Sequence, residues 1–133
     1  MVSKGTGTTA VGPALAAYSW EVGRSKQVVY PTADGRAHEL YVYAGGNWAH
    51  ADLTELASGA IGGGAPMVGY EWKAGSSKQV VYFDPIDNDV HGLWVRPGGQ
   101  WQHADLTIVT GFDVAASIRL PISAYSWYTG GSK

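Results

Sequence analysis

The strongest constraint on this chain is that it repeats itself. Tyr18-Ser-Trp20 followed by Ser25-Lys-Gln-Val-Val-Tyr30 returns at an offset of 52 as Tyr70-Glu-Trp72 and Ser77-Lys-Gln-Val-Val-Tyr82. One residue is then inserted, and at an offset of 53 His38-Glu-Leu-Tyr41 matches His91-Gly-Leu-Trp94. Gly45-Gly-Asn-Trp-Ala-His-Ala-Asp-Leu-Thr54 matches Gly98-Gly-Gln-Trp-Gln-His-Ala-Asp-Leu-Thr107 in the same register. A third copy opens at Ala124-Tyr-Ser-Trp127, so the 133 residues hold two full units and the first strand of another. Self-similarity at a fixed period points to a fold built from stacked units.

Each unit reads as four short strands. Tyr-x-Trp is the first, and Lys-Gln-Val-Val-Tyr, β-branched and aromatic, is the second. Asp34-Gly35 turns into the third, His38 to Val42, and Gly45-Gly46-Asn47 turns into the fourth, Trp48 to Leu53. In the second unit Asp84-Pro-Ile-Asp-Asn-Asp89 makes a longer turn. The expected organisation is an N-terminal segment 1–15, a first blade 16–54, a connector 55–68, a second blade 69–107, a connector 108–123 and an incomplete third blade 124–133. No window carries an amphipathic helix of three turns.

Four antiparallel strands in a repeat of roughly 40 to 55 residues make a β-propeller blade, so the expected class is all-β. Two blades leave unpaired faces, and rings close with about four to eight blades. Closure by self-association is therefore expected, with a homotrimer of six blades favoured over a tetramer of eight. The surplus strand Tyr125-Ser-Trp127 suits strand exchange between copies.

Composition narrows the function. Charged residues are 15% of the chain, against roughly 25% in typical domains, and hydrophobic residues are 45% with 12% aromatic. That balance excludes a disordered chain. A net charge of -2 without a basic run disfavours binding to a nucleic-acid backbone. No apolar stretch approaches the roughly 18 residues of a membrane helix. Residues 1–17 lack the apolar region of a signal peptide, leaving the compartment open. With no cysteine, thiol catalysis and thiolate-bound zinc are excluded, and no cofactor is expected.

The unit resembles the fungal and bacterial fucose-binding propeller lectins. Their blades run Ala-Ala-x-Ser-Trp, Arg-Val-Tyr, a Gly turn, Glu, then Gly-Gly-x-Trp. Ala16-Ala-Tyr-Ser-Trp20, Gln27-Val-Val-Tyr30, Gly35, Glu39 and Gly45-Gly-Asn-Trp48 follow that order. The resemblance implies short chains of two blades that trimerise. It also implies a sugar held between adjacent blades by an Arg of the second strand, a Glu of the third, and stacked tryptophans. Here the Arg position reads Gln27 and Gln79, the Glu position reads Glu39 and Gly92, and a Trp three residues later reads Val42 and Val95. The pocket residues so implied are Gln27, Glu39, Trp48 and Trp101, with Trp72 and Gln79 next.

Other features take structural readings. Trp20, Trp72 and Trp127 recur in the first strand as packing between blades, and Tyr41 and Trp94 are expected in the core. His50-x-Asp52 and His103-x-Asp105 resemble a metal or acid–base pair. Copied once per unit, they are expected instead to satisfy turn backbone, as are His38 and His91. Residues 59–64 are Gly-rich, but no Lys-Ser/Thr follows as a phosphate loop requires. The expected function is a non-enzymatic, multivalent lectin whose partners are glycans and other copies of itself. A propeller scaffold without a sugar site is the alternative, and a glycosidase using Asp52 and Asp105 ranks third.

Overall fold

The computed structural model describes residues 15–59, 66–84 and 86–111. The first unit folds as β1 (Ala16–Trp20), β2 (Ser25–Pro31), β3 (Ala37–Tyr43), β4 (Ala49–Asp52) and α1 (Leu53–Ala57). The second repeats it as β5 (Met67–Trp72), β6 (Ser77–Asp84), β7 (Asp89–Val95), β8 (Gln102–Asp105) and α2 (Leu106–Thr110), with a single 3-10 turn, Lys73–Gly75, between β5 and β6. Each set of four strands forms one antiparallel sheet in chain order, β1-β2-β3-β4 and β5-β6-β7-β8. The registers correspond: Lys26 faces Val42 as Lys78 faces Val95, and Glu39 faces Ala51 as Gly92 faces Ala104. The third copy of the repeat, 124–133, lies outside the described residues. No described helix is long and apolar enough to cross a membrane.

The two sheets stack through one core. Val29 and Leu53 of the first and Val80 and Leu93 of the second are wholly buried, with Ala37, Met67 and Tyr82 among them. Strand alternation puts Tyr18, Gln27, Glu39 and Tyr41 on the face of the first sheet turned toward the second. Lys78, Val80, Leu93 and Val95 form the face that meets it. The first strands approach closely: a Cβ on Gly69 would come within 2.3 Å of the Tyr18 ring, so only glycine lets β5 lie against β1.

The short helices were not expected from the sequence, which read Leu53 as the end of a strand. They follow from the repeated Ala-Asp-Leu-Thr element. The Asp52 carboxylate accepts from the Glu55 amide at 2.9 Å, and Asp105 accepts from Ile108 at 2.9 Å, each capping a helix N-terminus. The threonine then reaches back to the third strand: Ala37 N donates to Thr54 Oγ1 at 2.8 Å, and Val90 N to Thr107 Oγ1 at 2.9 Å. Asp52 also holds Arg36 at 2.7 Å. Asp52→Ala should lower the unfolding free energy by about 1 kcal/mol, the usual value of an N-cap. Urea denaturation will show it as a lower midpoint with an unchanged slope.

Candidate functional site

A cleft of about 460 Å³ opens along the seam between the sheets, within the size range of small-molecule sites. The first sheet supplies Trp20 from the end of β1 and Glu39 and Tyr41 from alternate positions of β3. The second supplies Lys78 from β6, residues 95–99 from the β7–β8 turn, and Trp101. The wall thus combines four aromatic rings, Tyr43 being the fourth, with one carboxylate from the first sheet and the Lys78 ammonium and Arg96 guanidinium from the second.

The charged pair is the floor of this cleft. Lys78 Nζ donates to both carboxylate oxygens of Glu39 at 2.8 Å. It also lies 5.2 Å from the Trp20 ring, 5.5 Å from Tyr41 and 5.1 Å from Trp101, inside a cation–π cage. Glu39 is 1% exposed and Lys78 5%. Burial raises the Glu39 carboxyl and lowers the Lys78 ammonium, and their mutual attraction offsets only part of each shift. Tyr18, half-buried beside Glu39 with its hydroxyl enclosed, has its phenol pushed well above its ordinary value, first by burial and then by the Glu39 charge. The buried indole N–H of Trp20 finds no partner among the described residues. A carboxylate and an ammonium at one aromatic-walled cleft can exchange hydrogen bonds with the hydroxyls of a polar ligand while its apolar side lies on a ring.

Of the residues singled out from the sequence, Glu39 and Trp101 line this cleft together. Gln27 and Gln79 do not line it: each is buried and donates its amide to a serine two residues back, Ser25 and Ser77. Trp48 is exposed at the outer side of the first sheet, and Trp72 ends β5 as the counterpart of Trp20. Trp20 and Tyr41, expected as packing and core, stand in the cleft wall. Lys78 escaped the sequence reading. No local signal sets it apart, because Lys26 occupies the same place in an identical hexapeptide.

The repeated histidines form stacks. His38 and His50 share a hydrogen at 2.8 Å with ring centroids 5.0 Å apart, and His91 and His103 do so at 2.9 Å and 5.1 Å. Tyr30 and Tyr82 stack on them. In the long turn Asp84, Asp87 and His91 converge, but Asp84 accepts from Ile86 N while Asp87 accepts from Asp89 N and meets His91. Burial lowers the pKa of His38 and His103. The folded state therefore disfavours their protonation, and the stability they contribute is held above the ordinary value of about 6.5 and lost as pH falls below it. Urea midpoints should decline between pH 7.5 and 5.5, and decline less in the double variant His38→Gln, His103→Gln.

No family model matches the chain, and no curated protein matches it. Two solved structures are similar. AofleA from Arthrobotrys oligospora superposes with a TM-score of 0.54 at 21% identity over 74% of this chain and 27% of that one. The BP39L lectin from Burkholderia pseudomallei gives 0.55 at 24% identity over 72% and 27%. The chain therefore spans about a quarter of the length of either protein. At this identity the likeness establishes the fold: the two sheets are blades of the kind that builds the propeller lectins the repeat resembles.

Proposed function

We propose that the chain is a non-enzymatic carbohydrate-binding lectin whose sugar pocket is the seam between its two blades. The observation that carries this reading is the Glu39–Lys78 pair, 2.8 Å apart, in a cleft walled by Trp20, Tyr41 and Trp101. Vicinal hydroxyls donate to the carboxylate and accept from the ammonium, and the C–H face of the ring lies on an aromatic plane. The position at which the resemblance implies an arginine holds Gln27, and the ammonium comes from Lys78 of the neighbouring blade, a point charge with rotatable donors rather than a bidentate fork. L-fucose is the first ligand to test.

Multivalency completes the proposal. Ring closure by further copies, three chains for six blades, would present several weak pockets at once and raise avidity for glycosylated surfaces. The test is a glycan array together with light scattering of the 133-residue chain. We expect binding to neutral monosaccharides, loss of it in the near-isosteric Glu39→Gln, and a mass three times 14.1 kDa. A blank array from an intact oligomer would instead favour a scaffold, a reading to which the already neutralised Lys78 lends some support.

A further inference from the structure

We infer that the cleft between the two blades takes an acidic oligosaccharide, with a neutral sugar ring on the Glu39–Lys78 floor and the carboxylate of an adjoining sugar at Arg96 on the lip. This rests on the lectin reading above and names the ligand class of the same cleft. Three charged side chains line it: Glu39, Lys78 and Arg96. Two of them cancel, because the buried Lys78 ammonium lies 2.8 Å from both oxygens of the buried Glu39 carboxylate. Arg96 is exposed, and among the described residues no ion pair involves it. The cleft therefore keeps one positive charge at its mouth, although the chain as a whole carries -2.

The fold does not call for that charge. At the offset of 53 the first blade has Tyr43 in place of Arg96. The two turns are nonetheless alike: Gly46 N donates to Tyr43 O and Gly99 N to Arg96 O, both at 2.9 Å, and Gly45 and Gly98 share a left-handed φ. Tyr43 borders both this cleft and a cavity of about 430 Å³ on the outer side of the first blade. Two carboxylates near the ends of the first strands are engaged elsewhere: Glu21 holds Lys73 at 2.7 Å, and Glu71 accepts from Val22 N at 3.2 Å. Arg96 is thus left for a group outside the chain to neutralise.

A guanidinium is a planar fork whose N–H groups meet the two oxygens of a carboxylate in parallel, and it stays charged at any physiological pH. That carboxylate does not belong to the ring on the floor, where Glu39 already neutralises Lys78 and a second anion would meet Glu39. It belongs to the next sugar along. A cleft of about 460 Å³ lies in the range that encloses drug-sized ligands, which leaves room for this second unit.

A glycan array of fucosylated oligosaccharides in matched pairs tests this, each pair differing only in whether the sugar beside the fucose carries a free carboxylate or its methyl ester. Separate sets built on a uronic acid and on sialic acid identify the source of the carboxylate. The wild-type protein should favour the acid over its ester by roughly fivefold, the upper value for a solvent-exposed ion pair, and the preference should shrink as salt rises. Arg96→Gln should equalise the pair, and Arg96→Glu should invert it, so that the ester binds better. Position 96 is exposed and its counterpart is a tyrosine, so both variants should fold. Reading the ratio within a pair separates recognition of the carboxylate from any general change in affinity. Equal binding within the pairs of both sets, or a preference for the acid that survives Arg96→Gln, overturns the inference and leaves the lectin reading standing. An array blank for every member overturns both.

Discussion

Glu39→Ala should lower the unfolding free energy by about 3–5 kcal/mol, because it leaves the Lys78 ammonium buried without its counter-charge. The measurement that isolates the ion pair is a comparison with the double variant Glu39→Met, Lys78→Met. Removing both charges should recover most of the lost stability, since apolar replacements of similar volume are often neutral or stabilising. Sugar binding should not return with it, because neither a carboxylate nor an ammonium remains to meet hydroxyls. Urea denaturation and calorimetry on the same three proteins separate the roles. Recovery of binding in the double variant would remove the pair from the recognition chemistry.

The second large effect is expected beneath the cleft. Leu93 is wholly buried on the same face of the second blade as Lys78, and Leu93→Ala should cost about 2–5 kcal/mol through lost burial and a residual cavity. Its counterpart Leu40 lies half-buried on the outer side of the first blade. If copies close into a ring, that side becomes a seam, and the cost of Leu40→Ala will grow with protein concentration as assembly links to stability. Leu93→Ala will weaken the chain at any concentration. Concentration-independent midpoints for both variants would speak against closure by self-association.

Much of this architecture is legible in the repeat. The offsets of 52 and 53 and the Gly-Gly turns place all eight described strands, because strand alternation and turn chemistry are local properties. Glu39 and Trp101 could be picked out through the resemblance of the unit to a known blade pattern. Lys78 could not be, because Ser25-Lys-Gln-Val-Val-Tyr30 and Ser77-Lys-Gln-Val-Val-Tyr82 are identical, yet Lys26 is exposed and Lys78 buried. What separates them is which blade lies alongside, a fact of tertiary packing. Gln27 and Gln79 fall at the position where the resemblance implies an arginine, but their amides donate to Ser25 and Ser77. The helices were readable in principle: Asp52-Leu-Thr-Glu55 has the spacing of a cap followed by an N3 glutamate. Five residues are too few to register as a periodic pattern.

The turns that lead into the fourth strands carry one more implication. Gly45 and Gly98 adopt left-handed φ of 77° and 70°, and a Cβ at either would meet nothing within 4 Å. At these two points the lip of each hollow faces open space. Extra residues spliced in at these points would lengthen the lip over a bound oligosaccharide while the strands beneath keep their pairing, which makes this the natural place to graft new selectivity.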